Sequence, residues 1–96
     1  MKAYIVCVGE HGRAVLYGRS ETEPVAGEPM PQMEGVRMIL FWDAVCGGLL
    51  GLAANGPKGL TRITAPVARH GNIDPVKQWI EVSEEAAAAI DAWKAA

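Results

Sequence analysis

The stretch from Val36 to Ala54, VRMILFWDAVCGGLLGLAA, constrains this chain most, because it is the longest apolar run and its character changes midway. From Val36 to Trp42 the residues are branched or aromatic, which suits an extended strand. Alternation puts Val36, Met38, Leu40 and Trp42 on one face and Ile39 and Phe41 on the other, with Arg37 at the strand mouth. A strand apolar on both faces is expected to be central and covered on both sides. After Asp43 the pattern becomes Leu49, Leu50, Leu52 and Ala53, which predicts a short buried helix. Asn55-Gly56-Pro57 then stops it. A strand feeding directly into a helix is therefore the expected core.

The 96 residues suffice for one domain whose core needs neither disulfide nor metal. Half of them are apolar and 21% charged, the balance of a folded domain rather than a disordered one. A net charge of −2 exerts no global pull on nucleic acid or on an anionic membrane. Cys7 and Cys46 both sit within apolar runs, as buried free thiols do. No CxxC or closely spaced His pair suggests a metal, and no cofactor is expected. The N-terminal MKAYIVCVGEHG holds six apolar residues before Gly9, too short a run for a signal peptide, so a cytoplasmic protein is expected. Met38 to Ala54 is 17 residues long and broken by Asp43. Despite Gly47 and Gly51 in GxxxG spacing, it falls short of the about 20 apolar residues of a membrane span. No membrane partner is expected.

Residues 2–9 read as a strand with Tyr4, Val6 and Val8 on one side and Ala3, Ile5 and Cys7 on the other. A turn at Glu10-His11-Gly12 leads to a second strand, in which Gly18 marks a bulge or a close backbone approach. Residues 20–35 form an acidic Pro/Gly-rich segment in which Pro24, Pro29 and Pro31 block a helix. It is expected to be a long exposed loop, touching a sheet edge near Val25-Ala26, with Met30 and Met33 free to fold back. Residues 60–70 alternate, with Pro66 pointing to an edge strand, and 76–82 place Val76, Ile80 and Val82 inward and Lys77, Trp79 and Glu81 outward. Ser83 caps a C-terminal helix whose Glu84 and Glu85 suit its positive end and Lys94 its negative end, with Trp93 as the anchor.

These readings give one α+β domain spanning 1–96. Its mostly antiparallel, twisted or barrel-like sheet uses residues 2–9, 13–20, 36–42, 60–70 and 76–82, with one short central helix and one C-terminal helix.

Phe41-Trp42-Asp43 at a strand end, a short helix reaching Leu52-Ala53, and a final strand and helix from Ile80 to Trp93 resemble a family of small uncharacterised phage and prophage proteins. The likeness covers the second half of the chain and departs at Cys46-Gly47-Gly48. It implies a small accessory protein with a mostly β fold, and supplies no activity and no catalytic residues.

Three constellations bear on function. Cys46, followed by Gly47 and Gly48, could be an activated thiol at a helix start, with His70 or His11 as base and Asp43 orienting it. Against this, Asp43 would raise a thiol pKa and serves more simply as a helix cap. Arg62, Arg69 and Lys77, with Lys58 and His70, make 58–77 basic, and beside Trp79 they could stack on and pair with single-stranded nucleic acid. Trp79 on an open sheet could instead mark a protein interface. The reading that follows is a non-catalytic binding or assembly module of phage or prophage type. It is expected to be a homodimer, with Trp79, Lys77, Arg62 and Arg69 as interaction candidates. The alternatives are a cysteine-dependent enzyme using Cys46 with a histidine, His70 or His11, and a nucleic-acid accessory protein.

Overall fold

In the computed structural model, which describes residues 1–73 and 75–96, the strands are β1 (Lys2–Val8), β2 (Ala14–Ser20), β3 (Glu34–Phe41), β4 (Arg62–Ile63) and β5 (Val76–Val82). A 3-10 turn (Ala44–Cys46) precedes α1 (Gly48–Asn55), and α2 (Glu84–Ala92) follows β5. All strand neighbours are antiparallel, in the order β4-β3-β2-β1-β5. The α+β architecture expected from the sequence is the one observed.

β1, rather than β3, is the most enclosed strand, since every residue but Lys2 is buried. Its alternation divides the core in two. Ala3, Ile5 and Cys7, with Val15, Tyr17, Ile39 and Val82, face Leu52 and Ala53 of α1 and Ala86, Ala87 and Ile90 of α2. Tyr4, Val6 and Val8 join Leu16, Val36 and Val76 on the opposite face, where Met30 and Met33 cover them. Each fully buried aliphatic side chain contributes roughly 1.5–3 kcal/mol relative to exposure.

The acidic segment is thus a strap that closes the second face of the sheet. Its apolar residues Pro24, Met30 and Met33 are buried, while Glu21, Glu23 and Glu28 remain in solvent. Backbone bonds fix it: the Gly27 N–H donates to the Val76 carbonyl (2.7 Å), the Val76 N–H to Glu28 (2.9 Å) and the Met30 N–H to Ile73 (2.6 Å). The edge contact expected near Val25-Ala26 falls two residues later. Gly18 is required beneath the strap, because a Cβ there would stand 2.9 Å from the Met33 Cβ. The β2–β3 register also shifts between Tyr17 and Arg19, so both readings of Gly18 apply.

The central stretch departs from simple alternation. Ile39 pairs with Ile63 and Phe41 with Arg62, so β3 carries an extra residue at Leu40. The bulge inverts the phase: Trp42 packs on the helix-side core with Ile39, while Met38, Leu40 and Phe41 are exposed. Arg37 is buried mid-strand and not at a mouth. The expected strand over 60–70 shrinks to two residues plus an isolated Val36–Val67 bridge, since Pro66 has no N–H to give a ladder. Beyond it, the Ala96 N–H donates to the Ile63 carbonyl, so the C-terminal residues cover that edge.

α1 ends as its sequence requires, with Gly56 at φ 91° and its N–H on the Leu52 carbonyl. Leu52 and Ala53 are buried, but Leu50 is 72% exposed, a departure from the wholly buried helix expected. α2 starts on Ser83, whose Oγ accepts the Ala86 N–H at 3.1 Å. It stops at Ala92, so Lys94 lies outside it and contributes no cap. The cation at its negative end is Arg37, whose guanidinium donates to the carbonyls of Ile90, Trp93 (2.8 Å) and Thr64 (2.6 Å). Among the described residues no helix is long and apolar enough to cross a membrane.

Candidate functional site

β5 is an outermost strand of the sheet, and its two ends are engaged while its middle is not. Val76 is held by the strap, and the Ser83 N–H donates to the Ala53 carbonyl at 2.9 Å. Between them, among the described residues, no backbone hydrogen bond from outside the sheet reaches Gln78 to Val82. Such an edge is a template for a further strand. A groove of about 610 Å³ runs beside it, walled by Gln78, Trp79 and Ile80 on one side and by Trp42 and Gly47 to Leu50 on the other.

The local sequence explains how this groove arises. Asp43 accepts the Val45 N–H with one carboxylate oxygen (3.1 Å) and the Leu60 N–H with the other (2.8 Å), tying the 3-10 turn to the 59–61 segment. Those bonds, that from Leu60 first, hold its carboxyl below the usual carboxylate range. Gly47 is left-handed at φ 86°, turning the chain from the 3-10 turn into α1. Gly51 lets the Cys46 carbonyl approach the helix, where any Cβ would overlap it. Gly47 and Gly51 therefore serve local packing rather than pairing of membrane helices.

Trp79 lies within the sheet's second core rather than wholly outward. Its ring meets Tyr4 edge-on, centroids 5.6 Å apart at 83°, and it is half-buried with the strap-side cluster. Lys77 stays exposed beside the β1–β2 turn. Arg62 is on β4, at the opposite end of the sheet from β5. Arg69 lines a separate hollow with Glu21, Glu34 and Met33. Arg62 and Arg69 do not converge on Trp79, and the arrangement forms no basic face around a stacking ring.

The reactive constellation is not assembled either. Cys46 is buried, its Sγ 3.3 Å from Thr61 Oγ1 and 3.7 Å from the Lys58 carbonyl, and it closes the 3-10 turn rather than opening a helix. His70 accepts the Met33 N–H at Nε2 (3.0 Å) and turns Nδ1 to the Gly71 carbonyl (2.6 Å), so it pins the strap. His11 is exposed on the β1–β2 turn. Among the described residues no group of three His, Cys, Asp or Glu side chains could hold a metal ion.

No protein-family model, no curated protein and no solved structure matches the chain.

Sequence reasoning singled out Trp79 but missed Ile80, Trp42 and Leu50. One signal was present: β5 carries Trp79 on one face and Ile80 and Val82 on the other, which is unusual for a strand with a solvated side.

Proposed function

We propose that the chain is a non-catalytic binding or assembly module that forms a homodimer through the open edge of β5. The observation that carries this reading is the free stretch from Gln78 to Val82 beside a groove walled by Trp42, Leu49, Leu50 and Ile80. A strand with one open edge and apolar side chains on both faces gains ladder hydrogen bonds and buried area when a second strand joins it. The strap supports the same reading, since the turn at Gly27 and Glu28 already exchanges backbone hydrogen bonds with this edge at Val76. A phage or prophage accessory role is retained from the resemblance in the second half of the chain, and a cytoplasmic location as the expectation stated above. The cysteine-dependent enzyme loses support because Cys46 and His70 serve separate structural roles. Nucleic-acid binding loses it because Arg62 stands far from Lys77.

Light scattering at micromolar concentration tests the proposal. The parent protein is expected at the mass of two chains, and Leu50→Glu as a folded monomer, because Leu50 is exposed at the groove and carries little of the fold. Trp79→Glu is a poorer probe, since the ring packs on Tyr4. A monomeric parent refutes the homodimer, and a dimeric Leu50→Glu variant moves the interface off this groove.

A further inference from the structure

We infer that the two β5 strands pair antiparallel in a register symmetric about Ile80, and that the strap's hold on Val76 sets where the pairing stops. This rests on the homodimer proposed above. Three observations fix the register.

The first is the extent of the free edge. Both outward backbone groups of Val76 are used by Gly27 and Glu28, and the Ser83 N–H is used by Ala53. Lys77 and Gln78 stand together at a register shift opposite Cys7, so regular alternation resumes at Gln78. The usable stretch is Gln78 to Val82, and its midpoint is Ile80.

The second is facing. Trp79 and Glu81 pair with Val6 and Tyr4 on the strap side, whereas Gln78, Ile80 and Val82 pair with Cys7, Ile5 and Ala3 on the helix side. Directly opposed residues in a sheet share a face, so the symmetry axis passes through a residue and not between two. About Trp79, Val82 of one copy meets Val76 of the other, whose backbone is occupied. About Glu81, Trp79 meets Ser83, whose N–H is also occupied. Only Ile80 pairs the whole free stretch with itself.

The third is chemistry. This register sets Ile80 against Ile80, Gln78 against Val82 and Trp79 against Glu81, the last already accompanied by Lys2 at 3.5 Å. Ile80 of the second copy then enters the groove under Trp42 and Leu49, with Leu50 at its rim, so each groove is completed by the other chain. The strap ends the ladder after five residues and leaves the pairing closed rather than open-ended.

Oxidative cross-linking of single-cysteine substitutions tests the register, with the parent as control because Cys7 and Cys46 are buried. Ile80→Cys should give a disulfide-linked dimer. Trp79→Cys should not, because its two copies sit diagonally at roughly 7–8 Å, beyond disulfide reach. Gln78 is exposed, though its amide meets Cys7 Sγ at 3.7 Å, so spin labels there, placed in a Cys7→Ala background, test the register. Their backbone attachment points should lie about 14 Å apart, against about 8 Å for pairing about Trp79. Cross-linking of Trp79→Cys in place of Ile80→Cys, or the shorter label distance, overturns the register. A dimer by light scattering with neither the bridge nor the 14 Å separation overturns this inference and leaves association intact. A monomer removes the homodimer itself.

Discussion

Arg37 on β3 donates from its guanidinium to the carbonyl of Ile90 in the last turn of α2, joining two elements more than fifty residues apart in sequence. The bond is buried, and the same side chain reaches Trp93 and Thr64. A planar fork of donors suits several carbonyls at once, which an ammonium on a flexible stem cannot match.

Arg37→Leu should therefore lower stability by at least about 3 kcal/mol, because helix carbonyls are left buried without donors. Arg37→Lys should recover only part of that. Urea denaturation followed by circular dichroism measures both, and a midpoint unchanged in Arg37→Leu would show that water replaces the guanidinium without cost.

Tyr17 predicts a dependence on pH. Burial, and then the hydrogen bond from its hydroxyl to the Asp91 carboxylate (2.9 Å), raise the phenol well above its ordinary value. The fold thus holds the neutral form. Its contribution is fully present below about pH 10, where an unfolded phenol titrates, and is lost as pH rises beyond it. Thermal midpoints of the parent should fall above that pH more steeply than those of Tyr17→Phe. Parallel curves for the two proteins would remove Tyr17 as the cause.

Trp93 anchors the end of α2 by a different route from the one its sequence suggested. The residue lies just past the helix, half-buried against the helix-side core, and its indole N–H donates to the Thr61 carbonyl at 2.9 Å. Trp93→Ala should cost about 2–3 kcal/mol, below the range for a fully buried aromatic. A chemical denaturation midpoint equal to the parent's would mean that the ring carries no docking energy.

Cys46 should react slowly. Its sulfur is enclosed between Thr61 and Lys58 at the turn preceding α1, and a buried thiol in such surroundings is inert until the structure opens. Labelling kinetics under native conditions should report a rate far below that of a free thiol. Labelling at the free rate would put the sulfur at the surface.

The elements were legible where one local signal decided them. The alternation of Tyr4, Val6 and Val8 against Ala3, Ile5 and Cys7 survives intact, as do the Ser83 cap and the stop at Gly56. What was not legible depended on partners distant in sequence. The phase of Trp42 turned on a bulge at Leu40 that only pairing with β4 creates. The burial of Arg37 turned on a helix end reached fifty residues later. The strap looked like an exposed loop because its glutamates are solvated, although its methionines are not. At the candidate site, Trp79 could be picked out by type, but the exposed Leu50 and the free edge needed the strand order.

The strap has a consequence for how the molecule opens. One face of the sheet is walled by two helices, whereas the other is walled by a segment without helix or strand, attached at Val76, Ile73 and His70. The two walls are unequal in cooperativity, since a helix must melt as a unit while the strap can detach after a few hydrogen bonds. Amide exchange should accordingly be fastest at Gly27, Met30 and Met33 among the bonded amides, and slowest along β1. Detachment would uncover Tyr4, Val6 and Leu16 while the helix side stays folded, giving the domain a partly open form that exposes its sheet without unfolding it.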